Sequence, residues 1–420
     1  MLSGLPIAFA FVVVNVIGMF LWFGGEVGLR QLIISFTTGL TTFTLMPVPL
    51  FILMGEVMFR SGLAPNMIDA LNKWLGRLPG RLGLLAVGAG TLFSTFTGAS
   101  MASVAMLGST LVPEMEKRGY KKSMSLGPIL GSGGLAIMIP PSSLAVLLGA
   151  VAEISIGKLL VAIIIPGLLM ATLYATYIVL RCRLQPSIAP AYTVTLPSMS
   201  EKLSAAVRYI LPLGFIVFLV VGFIFLGIAT PSEAAAAGAL GTFILAAFYK
   251  RLNWRLVKES FSGTMSITVM IFMIIVGAIS FSQILAFSGA SSGLVKLATG
   301  VQLSPILIII VMEVAVLIMG MFMAATAVIM VALPLFMPVV YALGFDPIWF
   351  GVVTLINIEM ATTSPPFGAA LFVMKGVAPP DTTMGDCYRA ALPFLNCDLI
   401  AMAVVIAFPA VALWLPGVMR

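Results

Sequence analysis

The chain has 420 residues, of which 61% are apolar and only 9% charged, far from the roughly 25% charged of a soluble domain, so it reads as a polytopic membrane protein. It contains no histidine and its three cysteines (Cys182, Cys387, Cys397) lack metal spacing, which excludes zinc chemistry, histidine acid/base catalysis and a disulfide framework. The net charge of +7 lies in short loops beside apolar segments and sets topology; no nucleic-acid partner is expected.

In chain order, apolar segments near 5 to 23 and 31 to 58 are long enough to cross about 30 Å of hydrocarbon. Residues 1 to 4 carry no positive charge and no clear cleavage site follows, so the first segment is expected to stay rather than to be removed as a signal. Ala64 to Leu78 mixes apolar and basic residues and predicts a helix along the cytoplasmic interface with membrane lipid. Residues 83 to 112 divide into two arms too short to span comfortably and predict a re-entrant hairpin with its tip near Ser94 to Ser103. A helix over about 124 to 152 is interrupted by Pro140 and Pro141. Further spans fall near 157 to 180, 209 to 229, 231 to 248 and 265 to 287, the last preceded by a second interfacial stretch from Asn253 to Met265. A second hairpin is expected over 304 to 340, with its tip near Gly320 to Ala327, then a helix over 347 to 376 broken at Pro365 and Pro366, and a final span near 391 to 415.

These elements repeat. Pro140 and Pro141 lie 225 positions before Pro365 and Pro366, and Pro113 and Gly119 keep the same offset to Pro338 and Gly344. The fold class is therefore an all-α membrane protein of two repeats: 1–182, a linker with an extra helix over 183–229, and 230–420. Of the 22 basic residues, 18 fall in groups that can all be cytoplasmic, leaving Arg30, Lys158, Lys296 and Arg420 outside. That bias predicts a cytoplasmic N-terminus and a periplasmic C-terminus. It also makes the two hairpins enter from opposite faces, so the repeats are inverted, as in many secondary transporters.

A helix broken at membrane depth leaves main-chain carbonyls and amides that lipid cannot satisfy, so such a break survives beside protein, water or a bound ion. Oxygen-rich tips facing the breaks suit Na⁺, a hard cation, as the coupling ion, with two or more sites expected. In the first half the candidate ligands are Ser94, Thr97, Gly98, Ser100 and Ser103 at the tip, and Gly131, Ser132, Gly134 and Ser142 around the break. In the second they are Gly320, Met323 and Thr326, with Asn357, Thr362, Thr363, Ser364 and Gly368. For any one hydroxyl the competing reading is helix packing or a bond back to the preceding turn. Glu359 stands out, because an intramembrane carboxyl is costly and its repeat counterpart is Gly134. It balances a cation, takes up a proton, or sits at a wet cavity edge. Glu313 is expected near the outer surface, within reach of water, and Asp398 is equally open between buried and solvated.

The motifs "FTGASMASVAMLGSTLVPEMEKRGY", "GLAIMIPPSSL", "GIATPSEAAAAGAL" and "SPPFGAALFVMKGVAPP" resemble those of the large membrane subunit of tripartite ATP-independent periplasmic (TRAP) transporters along nearly the whole chain. The resemblance implies an elevator-type, Na⁺-driven importer of a small organic anion in the bacterial inner membrane. It also implies two partners, a small four-helix membrane subunit and a periplasmic substrate-binding protein, and no organic cofactor. Family ion sites at hairpin tips and broken helices map onto the tips and breaks named above. Where many relatives have Asp-Pro after the second tip this chain has Ala324 and Ala325, and Ser364 stands where many have Thr. Two other functions stay open at this stage: a proton-coupled carrier using Glu359, and an integral membrane enzyme acting on lipid-linked substrates.

Overall fold

The computed structural model describes residues 7–76, 78–97, 100–190 and 197–419, with the backbone alone for residue 64 and residues 93–97. Among the described residues the chain is helical and contains no strand. Among the described residues eight helices are long and apolar enough to cross a membrane, or nine if one bent pair counts as a single span.

The first half runs through α1 (Ile7–Trp22), α2 (Glu26–Leu40), α3 (Pro47–Arg60), α4 (Ala64–Trp74), α5 (Arg81–Thr97), α6 (Ser100–Lys117), α7 (Lys122–Met138), α8 (Ser143–Val151), α9 (Ile156–Ala162) and α10 (Ile164–Leu184). A long helix α11 (Met199–Phe225) leads to α12 (Pro231–Phe248), α13 (Trp254–Phe287) and α14 (Ala290–Gly300). Then follow α15 (Pro305–Phe322), α16 (Ala325–Ala342), α17 (Pro347–Thr363), α18 (Ala369–Val377), α19 (Met384–Ala407) and α20 (Ala410–Val418).

Local chemistry sets many of these boundaries. Pro231 opens α12 at a position whose N–H would be unpaired anyway, and Thr230 with Glu233 closes a capping box there. Asp346 accepts from the N–H of Ile348 (2.8 Å) and Trp349 (3.0 Å) to start α17. α7 ends at Met138 and α17 at Thr363 because paired prolines follow each. A proline has no N–H, so the carbonyls of Ala136 and Ile137 cannot receive the bond four residues on, nor can Ala361 and Thr362 receive it from Pro365 and Pro366. Both Pro-Pro bonds are cis. The axis bends by 46° between α7 and α8.

Three expected segments differ. The span placed over 31 to 58 is two helices, since Thr41 and Thr42 turn their hydroxyls back onto Thr37 and Thr38 carbonyls and Pro47 and Pro49 lack donors just beyond. The final span of 391 to 415 breaks at Phe408 and Pro409 for the same want of an N–H. The stretch Asn253 to Met265 is no separate interfacial helix. Asn253 caps it by accepting from Leu256 N–H (2.8 Å), and it continues unbroken as the first turns of the 34-residue α13. The other amphipathic stretch does form its own helix, α4, tied to α11 through the Trp74 indole N–H donating to Lys202 O (3.2 Å).

Helix ends recur at one spacing. α6 and α16, and α7 and α17, begin and end 225 residues apart, and both α6 and α16 carry an internal proline. Gly119 and Gly344 follow them in left-handed turns (φ 80° and 74°), a conformation that a Cβ strains. The two broken helices lie antiparallel. At one end the Lys122 ammonium meets Asp381 (2.6 Å) beyond the end of α18. At the other, Gly351 near the start of α17 packs on Leu148 of α8 and Ile154.

Candidate functional site

Each hairpin tip meets the broken helix of its own half. α5 and α6 are separated by Gly98 and Ala99, which lie outside the described residues; Ser94 and Thr97 are described only as helix backbone. The first turn of α6 lies on α7, so that a methyl added to Gly133 would sit 3.5 Å from Ser100 O and against Val104. Ser100 is 6% exposed and its hydroxyl has no hydrogen-bond partner. Ser103, fully buried, stands one turn further along. In the second half only Met323 and Ala324 separate α15 from α16. A methyl on Gly320 would lie 2.5 Å from Ala361 Cβ, which brings this tip onto the last turn of α17. Thr326 is half-buried in the first turn of α16.

The hydroxyls at the second break bond backwards. Thr362 donates to Glu359 O (2.9 Å), Thr363 to Met360 O (3.2 Å) and Ser364 to Met360 O (2.7 Å). Each such oxygen keeps its lone pairs on the outward side. Gly368 lets the chain fold onto this helix end: a methyl there would fall 2.5 Å from Thr362 O and 2.8 Å from Ser364 O. Two main-chain oxygens therefore converge beside Pro365 and Pro366. At the first break Ser142 caps α8 by accepting from Ala145 N–H (3.3 Å).

Other candidates are placed for packing. Gly131 faces the Phe394 ring, Ser132 is pressed on Gly90 of α5, and the carbonyls of Gly131, Ser132 and Gly134 lie opposite N–H groups inside α7. The oxygens left without their helical donors are those of Ala136 and Ile137, and in the other half that of Thr362, since Ala361 O takes the N–H of Ser364 (3.3 Å) instead. Proline's missing N–H, counted back four residues, would have singled them out.

Two buried polar groups have a clear geometry. Glu313 is 3% exposed and does not reach the outer surface, contrary to its expected place on the first arm of the hairpin. Thr354 donates to its Oε1 (2.7 Å) and the Asn357 amide to its Oε2 (2.6 Å) and its carbonyl (2.5 Å). This occupies the donors of Asn357 well before the break. Asp398, 1% exposed on α19, accepts from the hydroxyl of the fully buried Tyr174 on α10, a residue with no motif to mark it. Glu359 is fully buried and neither carboxyl oxygen has a partner. Its carboxyl fills the place a side chain at Gly134 would take. Among the described residues no cluster of metal-ligating acids, histidines or cysteines is present, which leaves main-chain carbonyls, hydroxyls and amide oxygens as the cation ligands on offer.

Comparison with known proteins places this geometry. A family model described as the tripartite ATP-independent periplasmic transporter DctM component matches residues 1–411. The chain is 33% identical to the C4-dicarboxylate TRAP transporter large permease protein DctM of Pseudomonas aeruginosa, over 89% of this chain and 86% of that one. It is 31% identical to the ectoine TRAP transporter large permease protein TeaC of Halomonas elongata, over 99% and 96%. In structure it is similar to the YdaH transporter of Alcanivorax borkumensis, with a TM-score of 0.70 covering 99% of this chain and 100% of that one at 16% identity, a likeness of fold.

Proposed function

Because the chain belongs to the DctM component family of tripartite ATP-independent periplasmic transporters, we propose that it is the permease that carries a small organic acid inward on a Na⁺ gradient. As a subunit of such a system it is a multi-pass protein of the bacterial inner membrane, works with a small membrane subunit and a periplasmic binding protein, and is a transporter component rather than an enzyme. The names of relatives, for C4-dicarboxylates, ectoine and isethionate, direct the substrate toward small carboxylates and sulfonates.

The observation that carries the sodium reading is the duplicated break: two helices ended by Pro-Pro, each with at least one carbonyl that has lost its helical donor and each beside the tip of its own hairpin. Ser100, with the carbonyls of Ala136 and Ile137, supplies oxygens in one half. The converging Thr362 and Ser364 carbonyls and the Thr363 hydroxyl supply them in the other. Hard-cation chemistry fits such sets. The half-helix N-termini at α8 and α18 favour an anionic substrate group between them. In this reading the hairpins are re-entrant from opposite faces, the halves are inverted with a cytoplasmic N-terminus, and hairpins with broken helices move as one elevator body. α4, fastened to α11, belongs to the stationary frame.

The test is uptake of C4-dicarboxylates, ectoine and sulfonates by proteoliposomes holding the chain with its small subunit and binding protein. Accumulation that requires an inward Na⁺ gradient and survives dissipation of the pH gradient supports the reading. Accumulation that follows the pH gradient without Na⁺ refutes it.

A further inference from the structure

Gly134 and Glu359 occupy the same position in the two repeats, 225 residues apart, and they touch. Where two related halves meet about a two-fold axis a position faces its own equivalent, and there is space for only one side chain. This chain places glycine on α7 and a glutamate on α17 at that point. The glutamate is fully enclosed, and neither of its oxygens is hydrogen bonded. The neighbouring acid Asp398 on α19 is itself held by Tyr174.

We propose that Glu359, seated on Gly134, is a proton-binding site on the seam between α7 and α17, with the Asp398–Tyr174 pair as its polar neighbour. A hard cation at this carboxyl would need several oxygens gathered around it, whereas Glu359 has no polar partner even at hydrogen-bonding distance. An ionised carboxylate enclosed there would stand without donor or counter-charge, a state that proteins avoid by neutralising the group. A proton alone satisfies the site: the carboxylate takes it up to become the acid, and returns it to water when the seam opens. Facing groups on the packed elements supply no alternative counter-charge. α7 presents Gly134, and Glu313 on α15 is engaged by Thr354 and Asn357. α19 presents Asp398 and Cys397; Lys158 on α9 and Tyr341 on α16 are exposed, and Lys375 lies in the last turns of α18.

The site is independent of the sodium reading, and its test involves no transport. Infrared spectra of the purified chain in lipid nanodiscs at neutral pH, in H₂O and D₂O, are expected to show a protonated-carboxyl band that Glu359→Gln removes and Asp398→Asn only shifts. Gly134→Ala, which drives the carboxyl off the seam, is expected to move or abolish the same band, and serves if Glu359→Gln does not fold. A wild-type chain with no such band, a band untouched by Glu359→Gln or by Gly134→Ala, or one removed by Asp398→Asn alone would overturn the assignment.

Discussion

Asn357 shows how a polar residue in an apolar core is kept. Its amide gives two hydrogen bonds to Glu313, and with Thr354 it supplies the donors that make this buried carboxyl tolerable. Replacing Asn357 with Ala leaves the Glu313 oxygens short of a donor and is expected to destabilise the protein by about 1 to 3 kcal/mol. A thermal melt in detergent checks this, and an unchanged midpoint would show that Glu313 finds water instead. The place of each break was legible from sequence, because a missing proline N–H acts on fixed neighbours, but the carbonyls it leaves, those of Ala136 and Ile137, were not among the residues named from sequence. Glu313 was not legible, because its solvation depends on which face of α15 meets α17. Tyr174 was hidden for the same reason: a tyrosine in an apolar helix has no pattern until Asp398 is brought against it. The unpartnered Glu359 was marked by its cost, but its contact with Gly134 appears only once the two helices cross.

At the scale of elements, the proposal gives the breaks the mechanical role. Pro140→Ala restores the donor opposite the Ala136 carbonyl and removes the ring clash, favouring continuous helix by about 3 kcal/mol relative to proline. The account expects Na⁺-driven uptake to fall by roughly tenfold or more, since a difference of that size matches the upper end of typical allosteric couplings. Uptake equal to wild type would remove the first break from the mechanism. A different device ties the start of α7 to the loop after α18. Lys122 donates to Asp381 and to Thr382, and this hydrogen bond with the ammonium holds the Asp381 carboxyl below its ordinary range. A lowered carboxyl contributes stability above its usual pKa and loses it as pH falls through the lowered value. Wild type and Asp381→Asn are therefore expected to differ slightly at neutral pH and to converge in strong acid, the difference shrinking with added salt. Melting points that diverge further as pH drops would contradict the sign. The ends at the two proline pairs fell where they were expected, whereas those beside Pro47 and Pro409 lay inside spans read as continuous. The length of α13 did not, because whether a polar stretch joins the next span rests on the absence of any breaker after Asn253.

For the whole molecule, the proposal of two inverted halves rests on the equal spacing of helix ends and the antiparallel course of the two broken helices. The apolar composition made the membrane class plain, and the offset between proline pairs is the sequence's argument for duplication. Convergence of the halves at Gly134 and Glu359 needed coordinates, because sequence gives the equivalence of two positions without their distance. The central claim is that the two breaks with their hairpin tips bind the driving cation. Density maps of the chain with its small subunit, recorded in Na⁺ and in a large organic cation that cannot replace it, test this most directly. The account predicts a coordinated density beside Ser100 and the end of α7, and another beside Met323 and the end of α17, present in Na⁺ and lost in its absence. Maps that are identical in both conditions, with no density at either break, would contradict it.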